Sequence, residues 1–216
     1  IGQIIHNERV VSELSEKGVR IIDDPSEAKE GETVVIRSHG VSKKTAEAIK
    51  TDFIDATCPF VKKIQRIVEK YHEKCYTIII AGDKTHPEVI GINGWCDNSA
   101  VIVGDMEEAE QKLLSVADLP LCVVAQTTSS VIFWKNLKKF LKKTCQRAEF
   151  FDTICSATDL RQKEALKIAE RSDIFFVIGG KHSSNNKKLV ETAKRACKNV
   201  YHIEGAYELP DKSEYI

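Results

Sequence analysis

These 216 residues lack a net charge, a long apolar run and any closely spaced pair of cysteines. Lys plus Arg and Asp plus Glu both number 32, so the formal charge is zero. Overall attraction to nucleic acid or to a membrane surface is excluded, and any anion must be bound locally. No stretch approaches the roughly 20 apolar residues needed to cross a bilayer. Ile1-Gly2-Gln3-Ile4-Ile5 has neither the basic start nor the cleavage site of a signal peptide, so a cytoplasmic location is expected. The seven cysteines are an odd number, widely spaced and without Cys-x-x-Cys, which argues against a disulfide scaffold and against zinc. The chain opens on Ile rather than Met, and residues are expected to precede it.

A content of 42% hydrophobic and 30% charged residues is that of a globular protein able to bury a core. Strand and helix patterns alternate. Asn7 caps a helix that Gly18 stops, and strands are expected at 19–22, 33–36, 53–54, 76–81, 100–103, 121–125, 150–154, 173–178 and 200–203. The fold class is therefore α/β, with small, mainly parallel sheets joined by helical crossovers. Segment 173–178 is apolar enough to predict helices on both of its faces. The helix after Cys58 aligns Val61, Ile64, Val68 and Tyr71, and the helix after Cys155 aligns Ala165, Ile168 and Ala169.

One arrangement occurs twice. Asp55-Ala56-Thr57-Cys58-Pro59 and Asp152-Thr153-Ile154-Cys155-Ser156 each follow an apolar strand and open a helix. Proline is favoured at the first helical position, so Cys58 is the cap, facing the positive end of the helix, where a thiolate is favoured. The echo suggests duplicated lobes at 1–58, 59–154 and 155–216. Two equivalent thiols read as metal ligands rather than as one nucleophile. Cys75, Cys122, Cys145 and Cys197 read as structural.

In parallel sheets, ligands gather beyond the carboxyl ends of strands. Five such ends are polar: Ser38-His39-Gly40, Thr85-His86-Pro87-Glu88, Gln126-Thr127-Thr128, Ser156-Ala157-Thr158 and Ser183-Ser184-Asn185. Hydroxyls, amides and imidazoles at helix N-termini suit a phosphate or diphosphate, although helix capping alone explains most such residues. His6, His39 and His86 are placed to meet one anion, while His72 and His202 read as structural. Glu88 is a candidate proton donor if shielded from water, and otherwise a solvent-facing charge. Lys135, Lys138, Lys139, Lys142 and Lys143 lie opposite an apolar helix face and read as solvated surface, with a docking patch for an acidic electron donor as the lesser reading. Two plainer readings of the whole chain are a non-catalytic phosphate-binding α/β module and a zinc-site hydrolase.

Taken in order, His6-Asn7, Ser38-His39-Gly40-Val41-Ser42, Asp55 to Val61, His86-Pro87-Glu88-Val89, Gln126-Thr127-Thr128, Ile154-Cys155-Ser156-Ala157-Thr158 with Arg161-Gln162, and Ser183-Ser184-Asn185 resemble the 4-hydroxy-3-methylbut-2-enyl diphosphate reductase family. These are iron–sulfur enzymes of the non-mevalonate isoprenoid pathway. The resemblance implies three α/β lobes in pseudo-threefold arrangement around a [4Fe–4S] cluster. Cys58 and Cys155 would be two of its three thiolate ligands, and the third cysteine is expected upstream of residue 1. His6, His39, His86, Ser183, Ser184 and Asn185 would hold the diphosphate of the allylic substrate. Glu88 with Thr127 would deliver protons, Thr128 and Thr158 would position the ligand, and Gln126 would support Glu88. Ferredoxin or flavodoxin is the implied electron donor, and isopentenyl and dimethylallyl diphosphates the implied products. The resemblance also places a closing Ser-bearing segment after residue 216, so these residues alone are expected to be incomplete for activity.

Overall fold

A computed structural model of the chain describes residues 1–5 and 7–211. Among the described residues, all strand pairs are parallel and fall into three sheets. Strands β1 (Val34–Ile36) and β2 (Phe53–Asp55) form the first. The second has the order β4-β3-β5-β6, with β3 Thr77–Ala81, β4 Val101–Val103, β5 Leu121–Ala125 and β6 Ala148–Phe150. The third pairs β7 (Ile174–Ile178) with β8 (Asn199–Ile203). The helices are α1 Glu8–Glu16, α2 Lys43–Glu47, α3 Pro59–His72, α4 Pro87–Asn93, α5 Met106–Leu113, α6 Val131–Thr144, α7 Ser156–Ala169 and α8 Ser184–Ala193. No helix among the described residues is long and apolar enough to cross a membrane.

The central sheet explains the apolar run of β3. Successive side chains of a strand point to opposite faces, and here both faces are covered. Ile78 and Ile80 pack with Val61, Ile64 and Val68 of α3 and with Val89 and Ile92 of α4. Ile79 and Ala81 pack with Ala109 and Leu113 of α5 and with Trp134, Leu137 and Leu141 of α6.

The third sheet differs from expectation. Phe175 and Val200 pack on the α7/α8 side against Ala169, Ala193 and Cys197, whereas Phe176 stacks on Tyr201 with ring centroids 5.4 Å apart. Ile178 remains 69% exposed. Helices pack on the Phe175/Val200 side of this two-stranded sheet, and helices on both faces are not found among the described residues. Two further expectations are corrected. Segment 19–22 is not a strand, because it offers Gly2 a single carbonyl, that of Ile22 at 2.7 Å, instead of a ladder. Ile168 is exposed, and the buried face of α7 is Thr158, Gln162, Ala165 and Ala169.

Strand β6 ends earlier than its apolar pattern suggests because a side chain replaces the ladder. The Ala125 N–H donates to Thr153 Oγ1 at 2.8 Å, and the same hydroxyl donates to the Ala125 carbonyl at 2.7 Å. This buried bridge carries the pairing on toward Cys155. Thr153→Val keeps the shape but strands both backbone groups, so it should destabilise by roughly 1–3 kcal/mol per group, with Thr153→Ser near the unaltered protein, as read from urea unfolding midpoints.

Candidate functional site

The two cysteines have nearly the same local structure. Cys58 (φ −53°, ψ 133°) and Cys155 (φ −62°, ψ 134°) are the N-caps of α3 and α7, each 14 residues long, and neither thiol is used as a cap acceptor. Each backbone N–H reaches back to the neighbouring strand end, Cys58 to the Ser38 carbonyl at 2.9 Å and Cys155 to the Thr127 carbonyl at 3.0 Å. Both thiols are unpaired and half-buried. The preceding aspartates are not equivalent. Asp55 accepts from the Thr57 N–H at 2.9 Å and pairs with Lys62 at 2.6 Å. Asp152 accepts from Lys138 and Trp134 of α6, which hold its carboxyl below the usual range. The deeply buried Cys122 is different in kind, its thiol pushed up to about 12 by burial.

Between the cysteines lies a buried acid. Glu88, in the first turn of α4, is 2% exposed. Its Oε1 accepts the Thr127 N–H at 2.6 Å and its Oε2 accepts the Thr127 hydroxyl at 2.6 Å. Burial drives the carboxyl's pKa upward, opposed by these two bonds. A carboxyl in such surroundings resists ionisation.

His86 caps α4, its Nδ1 accepting the Glu88 N–H at 3.2 Å. The neutral ring therefore carries its proton on Nε2. His39 meets it edge-on with centroids 5.3 Å apart. His6 lies outside the described residues. Contacts thus run from Cys58 through Ser38, His39, His86 and Glu88 to Thr127 and Cys155.

The remaining residues cluster on the β5 and β7 ends. Among the described residues, the Gln126 side chain bonds Asp83, Thr128 and Ser184 rather than Glu88. Its Oε1 accepts the Asp83 N–H at 3.1 Å, and its Nε2 donates to Thr128 Oγ1 at 3.0 Å and to Ser184 Oγ at 3.3 Å. Ser183 caps α8 by accepting the Asn186 N–H at 3.4 Å. Among the described residues, Asn185 Oδ1 is buried with no hydrogen-bond partner. Thr158 is buried in the first turn of α7. A cleft of about 790 Å³ opens beside His86, Gln126 and Ser184 and continues to His182, Lys187 and Arg195.

Two positions that the sequence motifs include, but to which sequence reasoning gave no role, hold the site in place. Besides Thr153, Gln162 donates to the Ser129 carbonyl at 3.2 Å and accepts the Val131 N–H at 3.4 Å, tying α7 to the start of α6. A polar residue on the buried stripe of α7 was the available signal. His72 and His202 are structural, bonded to Asp97 at 3.3 Å and to the Gly179 carbonyl at 3.0 Å.

Comparison with known proteins gives a consistent answer. The family model described as LytB protein matches residues 1–214. The 4-hydroxy-3-methylbut-2-enyl diphosphate reductase of Caldanaerobacter subterraneus subsp. tengcongensis is 48% identical over 218 residues, covering 97% of this chain and 73% of the relative. That of Thermoanaerobacter sp. (strain X514) is 49% identical over 215 residues, with the same coverage. Among solved structures, an (E)-4-hydroxy-3-methyl-but-2-enyl diphosphate reductase described as the terminal enzyme of the non-mevalonate pathway matches with a TM-score of 0.67 at 36% identity, covering 98% of this chain and 76% of that one. The Plasmodium falciparum E-1-hydroxy-2-methyl-but-2-enyl-4-diphosphate reductase matches with a TM-score of 0.88 at 30% identity, covering 96% and 67%. The chain belongs to the LytB protein family.

Proposed function

We propose that this chain carries the reductive dehydroxylation of 4-hydroxy-3-methylbut-2-enyl diphosphate to isopentenyl and dimethylallyl diphosphates. The observation that carries the reading is Thr127. Its N–H and hydroxyl hold the buried Glu88 carboxyl, and its carbonyl receives the N–H of Cys155. One residue thereby ties a proton donor to a candidate metal ligand.

Cys58 and Cys155 fit a [4Fe–4S] cluster. They are matched thiols at helix N-termini, and soft thiolates are the donors such clusters take. Among the described residues, no group of three His, Cys, Asp or Glu is placed to hold a metal. The remaining thiolate is proposed to come from a cysteine that these 216 residues do not contribute. When bound, the cluster supplies electrons and a Lewis-acidic iron for the departing oxygen.

The rest belongs to the chain's own side chains. His39, His86, Thr128, Thr158, Ser183, Ser184 and Asn185 are proposed to hold and orient the substrate through its diphosphate, with His6 in the same set. Two electrons and two protons enter and water leaves. When protonated at Oε2, Glu88 donates to the Thr127 hydroxyl oxygen instead of accepting from it, passes that proton to the departing oxygen and, after taking up a second proton from solvent, supplies the allylic carbon. Ferredoxin or flavodoxin is the proposed donor. Seven cysteines kept as thiols fit a cytoplasmic setting.

Anaerobic reconstitution with iron and sulfide of a longer protein that includes the third cysteine tests the ligand assignment: Cys58→Ser and Cys155→Ser should each lose the visible absorbance that this unaltered longer protein gains. Undiminished colour in either variant would remove that cysteine from the site. Glu88→Gln should leave substrate affinity in place and lower turnover by about 10²–10⁴-fold in steady-state kinetics.

The pH dependence has a defined sign. Burial raises the Glu88 pKa, so the folded state binds more protons than the unfolded state between the ordinary carboxylate value and the raised one. Stability and turnover should both decline as pH rises through that window, and Glu88→Gln should flatten the stability slope in pH-dependent urea melts.

A further inference from the structure

Gln126 sits where three strand-end loops meet. It is 2% exposed and reaches the loop after β3 through Asp83, the loop after β5 through Thr128 and the loop after β7 through Ser184. The fit is close. A Cβ added at Gly82 would lie 2.9 Å from both Cβ and Oε1 of Gln126, so the glutamine lies across a position that tolerates no side chain.

The hydrogen bonds in this junction run in one direction. The Asp83 N–H is a donor and fixes Oε1 toward itself, and a flipped amide would set two donors face to face. Nε2 must then donate, to Thr128 Oγ1 and to Ser184 Oγ. Thr128, having accepted, donates its own hydroxyl proton to Ser184 Oγ at 2.8 Å. Ser184 Oγ accepts two bonds, which occupies both lone pairs. Its remaining capacity is its own O–H, and Ser184 lines the cleft with His86 and Lys187.

We propose that Gln126 is a positioning residue that sets the polarity of this chain of hydroxyls, so that Ser184 presents a donor, and never a lone pair, to the ligand. The inference rests on the reading of the β7 end as a diphosphate-binding segment and goes beyond it. It identifies what makes Ser184 selective for an anionic oxygen. Each donor is polarised by the one before it, which strengthens the last bond in the chain. The recognised chemistry is a phosphate or diphosphate oxygen, an acceptor only.

Gln126→Glu is nearly isosteric but carries only acceptors when ionised. Thr128 and Ser184 would then turn their protons toward the new carboxylate, and Ser184 would face the ligand with a lone pair. Calorimetric titration of the protein with inorganic diphosphate should show at least about 10-fold weaker binding in Gln126→Glu, about 1.4 kcal/mol, and partial recovery at acid pH as the new carboxyl regains a proton. A double-mutant cycle with Ser184→Ala separates this from simple repulsion of the anion. Polarity acting through Ser184 predicts that Gln126→Glu costs little further affinity in the Ser184→Ala background, whereas an equal loss in both backgrounds would overturn the proposal.

If Gln126→Glu does not fold, Thr128→Val interrupts the chain without adding charge. It should weaken diphosphate binding several-fold with an unchanged melting temperature, and unaltered affinity would count against the inference. Failure of the unaltered protein to bind inorganic diphosphate would overturn the diphosphate reading and this inference together. Binding by the unaltered protein with no effect of Gln126→Glu would overturn only the inference.

Discussion

The Glu88 carboxyl is buried beyond the reach of water, and the surrounding structure is arranged around that fact. An ionised carboxylate left alone in an apolar interior would cost many kcal/mol, so such a group either finds donors or keeps its proton. Here Thr127 supplies two donors from one residue, backbone and side chain, at 2.6 Å each. That satisfies the oxygens without introducing a cation, and burial still raises the pKa. A lysine or arginine in the same place would have held the acid ionised and unable to give up a proton. The threonine's two bonds oppose the rise that burial imposes without reversing it.

The parallel sheets make this arrangement possible. Strand ends that lie side by side deliver their loops to one edge, and a residue just beyond one strand can bond a residue just beyond its neighbour. Cys58 reaches Ser38 in this way across the β1/β2 pair, and Cys155 reaches Thr127 across β5/β6. The recurrence concerns the thiols and their backbones only. Asp55 stays with its own helix through Lys62, while Asp152 is bound by α6. Those two carboxylates occupy matching places in the sequence and do different work.

Much of the scaffold was legible. Strand β5 occupies 121–125 as expected, because its short apolar run is bounded by Pro120 and by the polar Gln126. Asn7, Ser42, Asp105, Ser130 and Ser183 cap helices because their short polar side chains reach the orphan N–H groups. What failed depended on partners distant in sequence. Segment 19–22 has strand-forming residues but, among the described residues, makes one bond to Gly2 and no ladder. Which side of β7 the helices take depends on where α7 and α8 pack. Thr153 takes over from β6 only because Ala125 lies beside it.

The sequence by itself determined the inventory and the local backbone: which strands end in hydroxyls, amides and imidazoles, and which helices begin at a cysteine. These follow from side-chain chemistry and from propensities that act over a few residues. Tertiary structure decided direction and environment. A glutamate two residues after a histidine reads as surface until α4 packs against the central sheet and buries it. Gln126 reads as an aid to that glutamate until its amide is seen to face Asp83, Thr128 and Ser184. Burial and hydrogen-bond direction are properties of groups brought together across the fold, and no local pattern encodes them.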